Sequence, residues 1–545
     1  MAADSTTPPG APTLAAQVSR AVVWNTLFVP LRLVANVIAT LLKLSVLLPG
    51  SYGFLAIFSS FNNGLGTAID LGTSRALPKY IPETLRSGGP RAMRRLLRAV
   101  FSAQLAVLAL VGLALFIFRT TYATRLNQQI SATPETALTA LARGELISYV
   151  NQHSGALIVL ALAMQLISIF YDVLMAYLSS FFKQRAWNGV DIAAQLLPNL
   201  LTISAVLLLP PAIMLDGLLA TMVLAPGIAT SMLVWTVLRH QREVDTLPQP
   251  EQPGPLLPPG FVRYCGVSLL MNASDFVASA GFAILFARDL ADAALLFAGV
   301  SIVKMVLSYL YTPMVGVQVP LFTRVRAGEG GTLLGAYQSL IRLQLLLLVP
   351  GGVGLMLLAQ PVFATLLPQY TDASALVWVL VPCLFLESLL TTAHNALIVY
   401  ERLRAVVIAR VIALIAAPLA LLLAPSFGIV GVTLAFGLAR VAAGLWVTAR
   451  GVDLLGLRWP WRFTLQVLLA TGAMAAVVAG LALLLPPLPA DANLVARLLT
   501  LPLLFGIASV GGLTLLGALR LTGGLDPADK AQLLKLKLPG KKWLT

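Results

Sequence analysis

Long apolar stretches are the feature that most constrains what this chain can fold into. About 14 of them, each of about 20 residues or more, follow one another along the sequence with short polar segments between them. A helix rises about 1.5 Å per residue, so about 20 residues cross the roughly 30 Å hydrocarbon layer of a bilayer. Turns interrupt the apolar segments of a soluble protein sooner than this. The pattern therefore predicts an all-α, polytopic membrane protein with about 14 transmembrane helices.

The composition excludes an ordinary soluble domain. Hydrophobic residues make up 58% of the chain and charged residues 11%, whereas soluble domains contain roughly 45–50% and 25%. A soluble core cannot use that much apolar side chain, but a lipid-facing surface can. Cys265 and Cys383 both fall inside apolar stretches, so we expect small buried side chains and neither a disulfide nor a metal site.

Two halves of six predicted helices each are followed by two further helices. The first six are expected at residues 20–48, 52–80, 96–118, 154–182, 188–209 and 212–238. The next six are expected at 261–286, 291–314, 337–358, 376–400, 405–423 and 429–449, and the last two at 463–485 and 495–519. We predict an N-lobe at 1–246, a Pro-rich linker at 247–260, a C-lobe at 261–450, helices 13 and 14 within 451–519 and a basic tail at 520–545. The weak repeat between the halves is typical of transporters.

The basic residues predict which side of the membrane each loop faces. The formal net charge is +15, and lysine and arginine concentrate in alternate loops and in the C-terminal tail. Under the positive-inside rule these loops are cytoplasmic, which puts both termini in the cytoplasm and the protein in the cell (inner) membrane. The charges flank apolar stretches, so they do not predict nucleic-acid binding. We expect the tail to lie on anionic membrane lipid.

Polar residues line up on single faces of several predicted helices. An ionisable group inside a membrane is costly, so each one marks a candidate functional position. The aligned residues are Asn25, Arg32, Asn36 and Lys43 on the first predicted helix, Asn63, Asp70 and Ser74 on the second, Gln165, Ser168, Asp172 and Ser179 on the fourth, Ser268, Asn272, Asp275 and Ser279 on the seventh, Lys304, Ser308 and Tyr311 on the eighth, and Glu387, Thr391 and His394 on the tenth. This recurrence favours a central water-accessible cavity, and the alternative is hydrogen bonding between helices.

Cations at several depths predict an anionic substrate. Arg32 is about 18 Å from the cytoplasmic end of its predicted helix, while Lys43 lies nearer the outer end and Arg75 nearer the cytoplasmic end. Such a series suits a phosphate or pyrophosphate. The predicted substrate-binding residues are Arg32, Lys43, Arg75, Lys304, Asn36 and Asn272. For Arg410 and Arg440, pairing with a neighbouring acid is an open alternative.

The acids within the helices have two interpretations. Asp70, Asp275 and Glu387, with His394, can carry a coupling ion such as H+ or Na+, or the acids can be counter-ions of the basic groups. No residues have metal-ligand spacing, and the chain has no nucleophile motif or Gly-rich phosphate loop. We therefore expect no enzyme activity, no metal and no cofactor.

Three short motifs resemble the multidrug/oligosaccharidyl-lipid/polysaccharide (MOP) exporter superfamily. The first is Pro49-Gly50-Ser51-Tyr52-Gly53, followed by Asp70-Leu71-Gly72 and Arg75-Ala76-Leu77-Pro78-Lys79-Tyr80. The second is Pro320-Leu321-Phe322-Thr323-Arg324, and the third is Gly428-Ile429-Val430-Gly431-Val432. Within the superfamily, the chain most resembles the bacterial polysaccharide flippases of the O-antigen type.

This resemblance implies two six-helix lobes around a cavity and transport by alternating access. The cargo would be an oligosaccharide on polyprenyl pyrophosphate, moved from the cytoplasmic to the outer leaflet for cell-surface polysaccharide synthesis. The resemblance implies that basic residues on the first, second, seventh and eighth helices bind the anionic head group. Arg32, Lys43, Arg75 and Lys304 occupy such positions, whereas the seventh helix offers Asp275 and, beyond Arg263 at its cytoplasmic end, no cation. A glycan polymerase is an expected partner.

Three other functions stay open on sequence grounds. The first is a cation-coupled multidrug exporter of the same superfamily. Exporters of that branch have twelve helices and need carboxylates to bind cationic drugs, whereas the predicted cavity of this chain has at least as many cations as carboxylates. The second is a peptidoglycan-precursor flippase, which is a close relative of the oligosaccharide flippases. A membrane glycan polymerase or ligase ranks low, because the predicted outer segment 119–153 carries only Glu135 and Glu145 as acids.

Overall fold

A computed structural model describes residues 31, 34–181, 184–245, 257–311, 314, 318–326, 328, 331–485 and 500–523. Over these residues the chain forms helices and no strands. Arg32, most of the Pro-rich linker and most of the basic tail lie outside the described residues, so what the sequence predicts for them stays a prediction.

The described helices follow the apolar stretches of the sequence. The first eight are α1 (Val34–Val46), α2 (Pro49–Ile69), α3 (Thr73–Ile117), α4 (Arg119–Ala132), α5 (Ala140–Ser180), α6 (Gln184–Leu208), α7 (Pro211–Asp245) and α8 (Phe261–Val277). Next come α9 (Ala280–Leu285), α10 (Leu290–Tyr311), α11 (Gln318–Arg326), α12 (Leu333–Leu366), a 3-10 turn (Pro368–Tyr370) and α13 (Ala373–Val399). The last described helices are α14 (Leu403–Ala413), α15 (Ala416–Leu455), α16 (Trp461–Ala482) and α17 (Leu501–Leu521).

Ten helical stretches among the described residues are long and apolar enough to cross a membrane. Two of them, Pro49–Ile117 with 69 residues and Leu403–Leu455 with 53 residues, each contain two of the predicted helices. As one straight helix at about 1.5 Å per residue, the longer one would measure about 100 Å, over three times the thickness of the hydrocarbon layer. The turn at residues 70–72 and the break at Gly89 interrupt it. The chain is thus a polytopic all-α membrane protein, as predicted, while the exact number of 14 crossings is not confirmed.

Glycine interrupts two of the long helices. Gly89 in α3 has a φ of 68° and Gly428 in α15 has a φ of 53°. A residue with a Cβ atom rarely adopts a positive φ, so glycine is the residue at which a helix can break in this way. The break at Gly428 lies at the predicted boundary between the eleventh and twelfth helices. A further turn at residues 414–415 was not predicted.

The predicted seventh helix, 261–286, is wrong in its extent. The structure divides it into α8 and the short α9, with Ala278 and Ser279 between them. Ser279 has an extended backbone, and its Oγ accepts a hydrogen bond from the Phe282 backbone N–H at 3.3 Å. This is the capping interaction that starts a new helix. Residues 276–286 are all apolar or small, so hydrophobicity alone hides the break.

The chain divides into two compact units that do not follow the sequence in order. Unit 1 consists of Met1–Val46, Phe58–Ser131 and Ala140–Ala273, and unit 2 consists of Leu47–Ile57, Ala132–Thr139 and Ser274–Thr545. In unit 1, α5 packs against α3 and α7, and α6 packs against α7. In unit 2, α13 packs against α12 and α15, and α16 packs against α12 and α17. The predicted N-lobe and C-lobe boundaries stay a prediction.

Unit 1 has an aromatic core. Tyr80 on α3 makes an edge contact with Phe261 on α8, with ring centroids 5.3 Å apart, and Tyr177 on α5 lies buried in the same cluster. Cys265 belongs to this cluster as well. Cys265 and, in unit 2, Cys383 are both buried with free thiols. The predicted burial of both cysteines is confirmed.

The motif at residues 49–53 packs inside unit 2. Tyr52 is buried, and its ring lies 5.4 Å from that of Phe297 and 5.8 Å from that of Tyr370. A Cβ atom on Gly53 would lie 1.9 Å from the backbone oxygen of Leu290. Glycine is therefore required at residue 53, because no side chain fits between the two backbones.

Candidate functional site

Unit 2 contains a pocket that is partly open at the surface. It lies among the end of α8 and the helices α13, α14 and α15. The lining residues are Asp275, Ala278, Glu387, Leu390, Thr391, His394, Ala409, Arg410, Ala413, Arg440, Ala443, Gly444 and Val447. Four of these side chains carry a formal charge, which is exceptional for a pocket inside a membrane protein.

Helical spacing explains why these residues share one pocket. On α13, Glu387, Thr391 and His394 are separated by four and three residues, so they lie on one face of the helix. On α15, the same spacing brings Arg440 and Gly444 to one face. Alanine and glycine form much of the remaining wall, which leaves room for the long arginine side chains.

Arg440 forms a bidentate ion pair with Glu387. Its Nε lies 2.6 Å from Oε2 of Glu387, and its Nη2 lies 2.6 Å from Oε1. The third contact of the guanidinium is a hydrogen bond of 2.8 Å from Nη1 to the backbone oxygen of Ala278. Ala278 follows the last residue of α8, where helix carbonyls lose their intrahelical partners. The break between α8 and α9 thus supplies an acceptor for Arg440.

Arg410 on α14 pairs with Asp275 on α8 through its Nη1 and the Oδ1 of the acid. The exposed fractions are 25% for Arg410, 36% for Asp275, 28% for Arg440 and 24% for Glu387. Charges removed from water to this degree need a partner, because desolvation costs several kcal/mol per fully buried ion. The structure therefore shows that Arg410 and Arg440 each pair with an acid, which is the alternative that the sequence left open.

Lys304 on α10 lies beside this pocket. Its side chain is exposed, and it interacts electrostatically with both Arg440 and Glu387. Helix α10 packs against α13 and α15, which carry these two residues. Three cations and two carboxylates thus lie in or next to the pocket, so its formal charge is +1 when His394 is neutral.

Unit 1 contains a separate polar network centred on Asp70. One carboxylate oxygen of Asp70 accepts hydrogen bonds from the Ser74 backbone N–H at 3.0 Å and from the Thr73 hydroxyl at 3.3 Å. The other accepts from the Ser74 hydroxyl at 3.0 Å and from Nδ2 of Asn272 at 2.7 Å. An acidic side chain at this position satisfies the free N–H groups at the start of a helix. The N-cap residue of α3 is Gly72, and Asp70, two residues before it, caps the first turn through the Ser74 N–H.

A buried glutamine completes the network. Gln104 on α3 donates to the Thr73 hydroxyl at 2.8 Å and to the backbone oxygen of Asp70 at 3.2 Å. Leu71 and Gly72, between Asp70 and Thr73, have positive φ angles of 54° and 74°. The hydrogen bonds hold this tight turn between α2 and α3. In the described conformation, Asn272 contacts Asp70 and is part of the network.

The structure brings some predicted site residues together and leaves others apart. Asp275, Glu387 and His394 line the unit 2 pocket, with Lys304 beside it, and Asp70 and Asn272 form the unit 1 network. Elsewhere in unit 1, Asn36 and Arg75 are exposed and Lys43 is half-buried. Arg32 lies outside the described residues.

Three residues of these networks were not among the predicted site residues, namely Arg410, Arg440 and Gln104. The signal for the arginines was present, since each is a charge inside a long apolar stretch. What the sequence does not give is the partner, because Arg410 and Asp275 are separated by 135 positions. Among the described residues, no group of three or more His, Cys, Asp and Glu side chains is arranged to hold a metal ion.

Comparisons with known proteins identify the fold. No protein-family model and no curated protein matches the chain. The solved structure of lipid II flippase MurJ in an inward closed conformation aligns with a TM-score of 0.62 and 11% identity, over 90% of this chain and 98% of that one. An inward-facing multidrug resistance MATE family transporter of the MOP superfamily aligns with a TM-score of 0.56 and 16% identity, over 78% and 96%.

Identities of this size establish a shared fold and leave the cargo open. The likeness extends over nearly the whole length of both solved structures, so it is not confined to a few helices. The chain is a multi-pass, all-α membrane protein with the fold of MOP-superfamily transporters, as its sequence motifs predicted.

Proposed function

We propose that this protein is a flippase that moves polyprenyl-pyrophosphate-linked oligosaccharide from the cytoplasmic to the outer leaflet by alternating access. The product would serve cell-surface polysaccharide synthesis. The observation that carries the proposal is the excess of cations at the unit 2 pocket, where Arg410, Arg440 and Lys304 meet two carboxylates. Guanidinium groups bind phosphate oxygens in bidentate geometry, which suits a pyrophosphate head group.

The C-terminal helices support a flippase over a drug exporter. Helices α16 and α17 pack against each other and against α12, so they are an integral part of unit 2. The likeness to MurJ covers 90% of the chain and the likeness to the MATE transporter 78%. The longer alignment with the flippase structure is consistent with a chain that has helices in addition to those of a drug exporter.

Several features of this function follow from the sequence alone. We propose the cell (inner) membrane as the location, with both termini in the cytoplasm. Arg32, Asn36, Lys43, Arg75, Asn272 and Lys304, the substrate-binding residues predicted from the sequence, are each proposed to contribute to binding the anionic head group. A coupling ion, H+ or Na+, and a glycan polymerase as partner are further proposals, with membrane lipid around the protein.

The test is an inventory by mass spectrometry of polyprenyl-pyrophosphate glycans in cells with and without the protein. We expect one complete repeat unit to accumulate in its absence. Restoring the wild-type chain should clear it, and Lys304→Ala should not, although it inserts at normal abundance. Asp372→Ala, an exposed position in a predicted outer loop, is the matched control and should restore export. An unchanged inventory would contradict the proposal.

A peptidoglycan-precursor flippase is the second candidate, because the solved structure of a lipid II flippase has the higher TM-score of the two structures compared. The same inventory separates the two functions. Accumulation of the peptidoglycan precursor would favour the second candidate, and accumulation of another lipid-linked repeat unit the first. A cation-coupled drug exporter has less support, because arginines occupy both carboxylates of the pocket. Efflux of cationic dyes tests it directly.

A further inference from the structure

The ion pairs of the unit 2 pocket resemble the contacts that an arginine makes with phosphate. We infer that Arg410 and Arg440 bind the pyrophosphate of the cargo, and that Asp275 and Glu387 are internal counter-ions which the pyrophosphate displaces. This inference rests on the proposed function and assigns it two further binding residues. It also gives the two acids a role other than holding a coupling ion.

The geometry of Arg440 carries the first step. Its Nε and Nη2 each lie 2.6 Å from one carboxylate oxygen of Glu387, so the guanidinium fork is already matched to a pair of anionic oxygens. A phosphate presents oxygens with a similar spacing and binds the same fork. The hydrogen bond to the Ala278 carbonyl holds the guanidinium in place while its anionic partner changes.

The access to the pocket and the small residues of its wall carry the second step. All four charged side chains keep between 24% and 36% of their surface exposed, so an incoming anion can reach them. Ala409, Ala413, Ala443 and Gly444 occupy little of the space around the arginines.

Lys304 carries the third step, because a displaced carboxylate needs a new partner. An unpaired charge in this environment is costly. Lys304 interacts electrostatically with Glu387 already and makes no ion pair with it in the described conformation. When a pyrophosphate binds Arg440 and displaces Glu387, Lys304 is positioned to neutralise the displaced carboxylate. The exchange then keeps Glu387 within reach of a cation.

Competition of this kind lowers the affinity for cargo. A transporter must release what it binds, so binding sites in transport proteins need moderate strength. The two carboxylates supply that limit, because the pyrophosphate has to displace charge-assisted hydrogen bonds before it forms its own. Removing the negative charge of either acid is therefore expected to tighten the binding of anions.

The test uses the purified full-length protein in detergent and inorganic pyrophosphate as the probe, with titration calorimetry. Glu387→Gln and Asp275→Asn are each expected to bind pyrophosphate about tenfold more tightly than the wild type, which equals about 1.4 kcal/mol. Arg440→Gln should lose the binding, and Arg440→Lys should recover only part of it, because lysine lacks the fork. Glu401→Gln, whose exposed acid pairs with Arg326 elsewhere in unit 2, is the control and should equal the wild type.

Unchanged or weaker binding in both acid variants would overturn the inference, and thermal unfolding would then show whether the pairs act only in stability. Since the two acids lie on different helices, misfolding of one variant leaves the other as a test. The glycan inventory is independent of this result. If glycan accumulates without the protein but the acid variants do not bind pyrophosphate more tightly, the proposed function stands and the exchange of anions is ruled out. If the acid variants bind pyrophosphate more tightly but the glycan inventory is unchanged, the pocket binds pyrophosphate and the glycan cargo is ruled out.

Discussion

Arg440 shows how much of the unit 2 pocket depends on single side chains. Its guanidinium contacts Glu387 on α13 and the end of α8, so one residue joins three helices. The acids that the sequence offers as ion-coupling residues are, in the described conformation, the partners of these arginines. In unit 1 the carboxylate of Asp70 also has protein partners, because it accepts hydrogen bonds from Ser74 and Asn272.

A double-mutant cycle measures the strength of the Arg440–Glu387 pair. We expect Arg440→Met and Glu387→Met each to destabilise the protein, and the double variant to recover part of the loss. The coupling energy should be about 1–3 kcal/mol, below the value for a fully buried pair because both side chains are partly exposed. Arg326 and Glu401, which are 45% and 73% exposed, serve as the control pair, for which less than about 1 kcal/mol is expected.

The Asp70 cap gives a second prediction about stability. Asp70→Ala should lower the free energy of unfolding by about 1–2 kcal/mol, because the start of α3 loses its acceptor. Asp70→Asn keeps one acceptor oxygen and should lose less. Chemical unfolding in mixed micelles measures both, with Glu135→Ala in an exposed loop as the neutral control. Equal stability of Asp70→Ala and the wild type would contradict a capping role.

The sequence predicted these residues as polar faces and left their partners undetermined. Helical periodicity puts Glu387, Thr391 and His394 on one face without saying which helix lies opposite. The Asp275–Arg410 contact joins positions 135 residues apart, and only the packing of α8 against its neighbours in unit 2 determines it. The sequence predicted Asp70 as an ion-coupling residue or a counter-ion, and it did not predict the hydrogen bonds of Asp70 to Ser74 and Asn272.

At the scale of elements, close backbone contacts explain two of the three sequence motifs that resemble the MOP exporter superfamily. In the 49–53 motif, Gly53 lets α2 approach the backbone at Leu290. In the 428–432 motif, Gly428 breaks α15, and a Cβ atom on Gly431 would lie 2.6 Å from the Leu423 backbone oxygen. The apolar stretches predicted most helices, whereas the division of 261–286 depends on the single hydroxyl of Ser279.

Gly53→Ala tests this backbone contact. The added methyl group would lie 1.9 Å from the Leu290 oxygen, so the two segments must separate. We expect a large loss of folded, monodisperse protein in size-exclusion chromatography after detergent extraction. Gly472→Ala on α16 is the matched control, because its Cβ atom meets nothing within 4 Å and alanine favours the helix by about 1 kcal/mol. Normal yield from Gly53→Ala would contradict the described packing.

At the scale of the whole molecule, the sequence predicts on which side of the membrane each loop lies. Single cysteines at Glu401 and Asp372, both exposed, flank α13 at its two ends. The positive-inside rule predicts that Glu401→Cys faces the cytoplasm and Asp372→Cys the opposite side. Labelling of intact cells with a membrane-impermeant maleimide should modify only the latter. The native cysteines are buried and should add little background.

Each unit is built from segments that are not consecutive in the chain, and this has a consequence for biosynthesis. Residues 47–57 and 132–139 belong to unit 2, although residues on both sides of them belong to unit 1. Tyr52 leaves the ribosome long before Phe297 and Tyr370, its partners in the core, by roughly 10–60 s at about 5–20 residues per second. During that interval its final partners do not exist. Unit 2 therefore cannot complete its core until most of the chain has been made, and a ribosome that stops after residue 246 leaves two orphaned segments for quality control to recognise.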